Sequence, residues 1–272
     1  MTAFEPILDL ENVNLGRAGG LARIELDRPE KLNAWNAALT EDLLACLEAI
    51  GADETLRAVL ITGSGRAFCS GADLTEVDSA FVTDAGTPDL QRSLRERYHP
   101  VIVGMRELPK PIVAAVRGGA VGVGLSLALA ADLIYASRDA YFLLAFVNIG
   151  LVPDGGSSAF VPARVGLARA SEMAMLGERV PAETAAGWGL INGVFDDESL
   201  APETEALAGR LAEGPTASYA GTKRQLNRWL YGDLAGQLEF EASIQQEMAG
   251  SSDFAEGVTA FAQKRPASFT GR

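Results

Sequence analysis

Pro111-Ile112-Val113-Ala114-Ala115-Val116-Arg117-Gly118-Gly119-Ala120-Val121-Gly122-Val123-Gly124-Leu125-Ser126-Leu127-Ala128-Leu129-Ala130-Ala131-Asp132-Leu133-Ile134-Tyr135-Ala136 is the stretch from which the fold is read. Its first part is apolar and β-branched without alternation, which predicts a strand over 111–116 buried on both faces. Gly118 to Gly124 predicts a glycine-rich turn, Leu125 to Ala131 an apolar helix, and Leu133 to Ala136 another strand. Upstream, Gly20 to Asp27 alternates like a strand and stops at Arg28-Pro29. Asn36 to Ile50 reads as a helix with Leu39, Leu43, Leu47 and Ile50 on one stripe. Arg57 to Thr62 is a buried strand, and Arg66 to Leu74 a loop leading into a short helix. Leu90 to Glu107 reads as a helix broken or kinked by Pro100. Downstream come a short strand over Tyr141 to Phe146, a loop over Asn148 to Gly156, and a helix starting at Ser157. The fold class is therefore α/β, with a coiled or layered sheet. After Pro202 the strand signal vanishes, and Glu203 to Glu213, Thr216 to Trp229 and Gly232 to Met248 read as helices. The expected organisation is a core over 1–202 and a helical segment over 203–272.

Composition excludes several classes. The 272 residues carry 23 Lys+Arg against 36 Asp+Glu, a net charge of −13, which argues against nucleic acid and anionic membrane as partners. A hydrophobic content of 48% builds a sizeable core, so disorder is not the class. Two cysteines, Cys46 and Cys69, make no disulfide framework and fit a reducing compartment. The N-terminus carries acids and no apolar run after a basic start, unlike a signal peptide. Residues 118–131 fall short of the roughly 18 apolar residues of a membrane span. A soluble, cytoplasmic protein is expected. With His99 the single histidine, no His-rich metal site is expected, and a Ser-His-Asp triad would have to use it.

Two familiar motifs fail. Gly122-Val123-Gly124 lacks the third glycine of a dinucleotide turn, since Leu127 stands there. Gly124-Leu125-Ser126-Leu127-Ala128 imitates a nucleophile elbow, but His99 precedes Ser126, which is the wrong order. What survives is two glycine-framed turns and one carboxylate. Ser70-Gly71-Ala72-Asp73 and Gly122-Val123-Gly124 each open a helix, where backbone N–H groups lack partners. Either the glycines serve tight turns only, or the two turns converge on one carbonyl oxygen. Asp154, in Val152-Pro153-Asp154-Gly155-Gly156-Ser157, is either the N-cap of the following helix or an acid–base group.

The ordered motifs resemble the crotonase superfamily, the enoyl-CoA hydratase/isomerase family. They are Asp27-Arg28-Pro29-Glu30-Lys31-Leu32-Asn33-Ala34, then Ile61-Thr62-Gly63 through Phe68-Cys69-Ser70-Gly71-Ala72-Asp73-Leu74, then Leu108 to Val116. Ala131-Asp132-Leu133-Ile134, Ala186 to Ile191, and Glu256-Gly257-Val258 through Phe261 with Lys264-Arg265 follow. The resemblance implies a crotonase-like spiral of ββα units with a helical C-terminal trimerisation segment, and so a homotrimer or a hexamer of two trimers. It implies acyl-CoA thioester substrates, with coenzyme A entering as part of the substrate and no other cofactor or metal. It places the two donors of an oxyanion hole at the N–H groups of Ala72 and Val123.

The same resemblance puts Ser126 and Phe146 where hydratases of the family keep two glutamates. Neither is a general acid or base at neutral pH, which counts against hydration. Asp154 falls where the isomerases keep their carboxylate. The run Tyr141 to Gly156 is similar to Δ3,Δ2-enoyl-CoA isomerases and closer still to the epoxyphenylacetyl-CoA isomerase branch. The favoured expectation is isomerisation with Asp154 as the base. The alternatives are a hydratase lacking both glutamates, a dehalogenase- or thioesterase-like attack by Asp154 with His99, and a non-catalytic acyl-CoA-binding protein. By resemblance, Arg28, Lys31, Arg66 and Phe68 border the coenzyme A, and Phe261 and Lys264 reach a neighbouring subunit's.

Overall fold

The computed structural model describes residues 3–74, 81–84 and 86–272. An antiparallel pair, β1 (Glu5–Leu8) and β2 (Val13–Ala18), leads into β3 (Leu21–Leu26). β3 is followed by α1 (Ala37–Ala52), β4 (Ala58–Gly63), and a helical stretch made of α2 (Leu90–Ser93), a π turn (Leu94–Tyr98) and α3 (His99–Glu107). β5 (Ile112–Val116), β6 (Gly119–Val121), α4 (Val123–Leu129), β7 (Leu133–Ser137) and β8 (Tyr141–Leu143) come next. A 3₁₀ turn (Phe146–Ile149) precedes α5 (Ser157–Leu176), which kinks at Gly166, where φ is +73°. β9 (Val180–Pro181), α6 (Ala182–Trp188), β10 (Gly193–Phe195), α7 (Asp197–Glu213), α8 (Thr216–Leu230), α9 (Leu234–Ala249) and α10 (Ser252–Ala262) complete the order.

One sheet runs β1-β2-β3-β4-β5-β7-β10, parallel from β3 onward. Its central strands are buried on both faces, as their unbroken apolar runs require. Ile24, Val59, Ile61, Ala114, Val116 and Ile134 face the main core, covered by Leu39, Leu43 and Ile50 of α1. Leu21, Leu60, Val113 and Ala115 face a second cluster, covered by Leu200, Ala208 and Ala212 of α7.

A second layer makes the architecture a spiral. β6, β8 and β9 form a small sheet, and isolated parallel bridges, Trp35 to Ala72 and Cys69 to Ala120, extend its pattern. Each turn of chain thus gives a strand to the large sheet, an extended segment to the second layer, and then a helix. The units are β3, Trp35 and α1; β4, Cys69 and the helix over 90–107; β5, β6 and α4; and β7, β8 and α5. This repeated ββα unit is the one expected from the sequence.

Three differences from the sequence reading have local causes. The chain over 118–124 holds a strand, β6, because second-layer pairing overrides the turn propensity of its glycines. Pro100 has no N–H and its ring would crowd the carbonyl four residues back, and the helix widens into a π turn just before it. The boundary at 202/203 falls inside α7, which packs on the sheet. Beyond it, Lys223 of α8 donates to the carbonyls of Met105 (2.8 Å) and Lys110 (3.3 Å) and pairs with Asp132 (3.1 Å). The acidic stretch from Glu76 to Asp89, read as a mobile wall of the acyl pocket, lies partly outside the described residues, at 76–80 and 85. Among the described residues no helix is long and apolar enough to cross a membrane, and no group of three His, Cys, Asp or Glu is placed to hold a metal ion.

Candidate active site

The two glycine turns meet. Cys69 N–H donates to Gly119 O (3.1 Å), and Val121 N–H donates to Cys69 O (3.0 Å). A Cβ on Gly124 would lie 2.5 Å from Cys69 O, and one on Gly71, where φ is +99°, 3.0 Å from Val121 O. Glycine is what lets these backbones touch. From the other side, Trp35 N–H donates to Gly71 O (2.8 Å), and Asp73 N–H donates to Trp35 O (3.0 Å). Between those two bonds the N–H of Ala72 has no backbone acceptor among the described residues, and neither has that of Val123, the first residue of α4. Cys69 is no nucleophile here, since burial pushes its thiol up to about 12.

Asp154 stands against this junction. A Cβ on Gly155 would be 2.9 Å from Ser126 Cβ and 3.2 Å from Val123 Cγ2, and the turn therefore lies directly on the start of α4. Ser126 Oγ donates to the Asp154 carbonyl (2.7 Å), as does Ser157 Oγ (2.8 Å). Asp154 is 5% exposed. Its Oδ2 accepts from Gln245 Nε2 of α9 at 2.7 Å, while Oδ1 is buried with no partner. Burial, and then the charge of Glu241, push its carboxyl up to about 8, and the Gln245 bond pulls the other way.

Asp154 is not the cap of α5. The N-cap position is Gly156, which has no side chain to offer, and the capping group comes from α9. Glu241 Oε2 accepts from Gly156 N (2.8 Å), and its Oε1 from Ser158 N (3.1 Å) and Ser158 Oγ. Burial raises the Glu241 carboxyl to about 7. Gln237 Nε2 donates to Ser158 Oγ (2.8 Å). Gln237, Glu241 and Gln245 repeat every fourth residue on one face of α9, and all three hold the 152–158 turn. The sequence reading missed this stripe, whose one local mark is a polar residue at every fourth position of a half-exposed helix.

The π turn supplies another wall. Tyr98 is buried, packs edge-on against Trp35 with ring centroids 5.0 Å apart, and feels the charge of Asp154, which with burial raises its phenol far above the ordinary value. His99 is buried as well, with Nε2 unpartnered. Burial brings its imidazole down to about 4, and the charges acting on it are those of Glu239 and Arg95, which pair with each other (2.8 Å). Of these two residues, Tyr98 is the one on which the charge of Asp154 acts. Phe146, 7% exposed, brings its ring to the Gly122 turn.

The expected coenzyme A contacts divide. Arg28 is buried, bonds the Ala34 carbonyl and pairs with Asp73 at 3.1 Å. A guanidinium so engaged ties down the loop that carries Ala72. Phe68 is fully buried in the core. Lys31 and Arg66 are exposed. Asn33 stitches their two loops together, accepting from Arg28 N (2.8 Å) and donating to Ser64 O (2.9 Å) and Ala67 O (2.8 Å). Phe261 and Lys264 are exposed at the end of α10 and just beyond it. α10 itself reaches the site's back wall: a Cβ on Gly257 would be 2.6 Å from the Ile149 backbone.

The profile of the family described as enoyl-CoA hydratase/isomerase matches residues 16–272. A Rhodobacter capsulatus protein named as a probable enoyl-CoA hydratase is 46% identical over 253 residues, covering 93% of this chain and 95% of that one. The 1,2-epoxyphenylacetyl-CoA isomerase of Escherichia coli is 40% identical over 254 residues, covering 93% and 96%. The crystal structure of an enoyl-CoA hydratase from Mycobacterium avium subsp. paratuberculosis superposes with a TM-score of 0.86 at 35% identity, covering 96% of this chain and all of that one.

Proposed function

This chain belongs to the enoyl-CoA hydratase/isomerase family, and from that premise we propose that it isomerises an enoyl-CoA through a thioester enolate, with Asp154 as the single base. Membership makes it an acyl-CoA-processing enzyme. The observation that carries the finer reading is the placement of Asp154. Its carboxyl is buried, leaves Oδ1 unpartnered, and sits on the turn whose Val123 N–H is open. The thioester carbonyl oxygen accepts from the N–H groups of Ala72 and Val123, which stabilises the negative charge formed when a proton leaves the α-carbon. Asp154 takes that proton at Oδ1 and returns it at the γ-carbon, moving the double bond with no net change in protons. Backbone donors suffice, so a valine at 123 is no obstacle.

Hydration is disfavoured by what the neighbouring groups already do. Ser126 spends its hydroxyl on the Asp154 carbonyl, and Phe146 is an apolar ring. The second buried carboxylate, Glu241, has both oxygens occupied by the start of α5. A nucleophilic, dehalogenase-like mechanism needs His99 as the base that activates water, and burial lowers its imidazole to about 4, which leaves it a weak base. Lys31, Arg66 and, from a neighbouring subunit, Phe261 and Lys264 are the exposed groups left to meet coenzyme A. That role for Phe261 and Lys264 presumes a trimer or hexamer, and we place the enzyme in the cytoplasm.

The test is conversion of a 3-enoyl-CoA to its 2-enoyl isomer by wild type, Asp154→Asn and His99→Gln. Activity lost in the first variant and kept in the second supports the reading. Formation of 3-hydroxyacyl-CoA by wild type, or dependence on His99 equal to that on Asp154, overturns it.

A further inference from the structure

Gln245 is the point where the C-terminal helices enter the site. It is fully buried, on the turn of α9 after Glu241. Its amide is bonded at both ends. Nε2 donates to Asp154 Oδ2 (2.7 Å) and to Val152 O (2.8 Å), and Oε1 accepts from Val152 N (3.4 Å). The pair of hydrogen bonds with Val152 fixes which way round the amide stands, because the end that accepts from an N–H cannot be the NH₂. The NH₂ end therefore faces the carboxylate. α9 is held on its other side by the wall opposite: Glu239 pairs with Arg95, and Gln246 accepts from Gln91 N (3.2 Å) and donates to Pro88 O (3.1 Å).

We propose that Gln245 is a positioning residue: by occupying Oδ2 of Asp154 while gripping Val152, it fixes the carboxylate plane and leaves Oδ1 as the oxygen that exchanges protons with substrate. This inference rests on the reading of Asp154 as the base. Without the amide, both oxygens are equivalent and the carboxyl is free to rotate about its χ2, and the productive geometry is lost for part of the time. Among the described residues, the titratable groups coupled to Asp154 by charge are Glu241 from α9 and Tyr98 from the π turn. Ser126 of α4 and Ser157 of α5 meet only its carbonyl.

The experiment uses Gln245→Met, which keeps the volume and removes the bonds, with Gln245→Leu, which also removes them without adding a charge, as the second variant should the first fold poorly. The first readout does not depend on turnover: the Asp154 carboxyl carbon is titrated by ¹³C NMR. Loss of the donor raises the midpoint by about one pH unit, because the bond favours the ionised form. The second is turnover of 3-hexenoyl-CoA. In Gln245→Met, kcat falls by roughly 10–100-fold while KM stays within about twofold. Adding Asp154→Asn to Gln245→Met lowers activity no further than Asp154→Asn alone, because Gln245 acts through that carboxylate. A purely structural role predicts an unmoved midpoint and additive losses, and either result overturns the inference. If Asp154→Asn is inactive and Gln245→Met behaves as wild type, this inference alone falls. If Asp154→Asn is fully active, the base assignment falls with it.

Discussion

At the residue scale the chemistry depends on one buried carboxyl held away from its ordinary pKa. Burial of Asp154 raises it from 3.8 to about 8, so the carboxylate needed to take a proton accumulates as the pH rises through that value. The expected kcat/KM for isomerisation climbs with pH, with a midpoint near 8, and levels off above it; a flat profile between about pH 6 and 9 would count against Asp154 as the base. The same burial has a stability consequence of definite sign. Between about pH 4 and 8 the folded state keeps a proton that the unfolded state has lost, and this group's contribution to stability falls across that window as pH rises. Asp154→Asn removes the penalty. Its melting temperature should exceed that of wild type by a margin that widens from pH 5 to pH 9, and a constant margin would show that the carboxyl is not strained by its surroundings. His99, which burial lowers from 6.5 to about 4, adds stability as the pH rises between those values in wild type and Asp154→Asn alike, so it cancels from the margin between them.

At the element scale, the site is a set of backbones brought into contact, and glycine sets the tolerance. Gly155 combines φ of +62° with a Cβ position 2.9 Å from Ser126 Cβ. Gly155→Ala should cost about 1–3 kcal/mol by overpacking and push Asp154 off the start of α4, losing activity more than stability. Gly209, inside α7, has open space where a Cβ would go. Gly209→Ala should instead stabilise by about 0.5–1 kcal/mol with activity unchanged, as read from denaturant unfolding. Equal effects of the two would refute the packing argument. The strands and helices over 20–63, 111–116 and 125–136 were legible in the sequence because hydrophobic period and punctuation are local. Asn36 caps α1 by accepting from Leu39 N–H at 2.9 Å, a local arrangement that the sequence analysis did not name. β6 and the capping of α5 by Glu241 were not legible, since both depend on chain brought from elsewhere. Ala72, Val123 and Asp154 could be singled out by resemblance, whereas Gln245, Glu241 and Tyr98 could not, because nothing adjacent in sequence marks them as neighbours of position 154.

At the scale of the whole molecule, the C-terminal helices are part of the site as well as of its surroundings. α8 docks through a buried network in which Arg106 pairs with Asp132 (3.0 Å) and bonds Asn227, and α9 crosses to hold Asp154. These helices also carry exposed apolar side chains, among them Trp229 at 85%, Leu226 at 52% and Phe240 at 58%, beyond what scattered surface residues usually present. The trimeric or hexameric assembly proposed for this enzyme should bury them. Light scattering on the purified protein is expected to give three or six times the chain mass, and Trp229→Glu to shift it toward the monomer; a monomeric wild type would remove the basis for Phe261 and Lys264 meeting a neighbour's coenzyme A. The central claim remains the one-base shift of a double bond. Its most direct measurement is incubation of a 3-enoyl-CoA in deuterated water, with the product read by mass and NMR. The account predicts the 2-enoyl isomer carrying deuterium at the γ-carbon in less than full amount, because one shielded carboxyl carries much of the proton across, and no such product from Asp154→Asn. A 3-hydroxyacyl-CoA from wild type, or an unaffected Asp154→Asn, would contradict it.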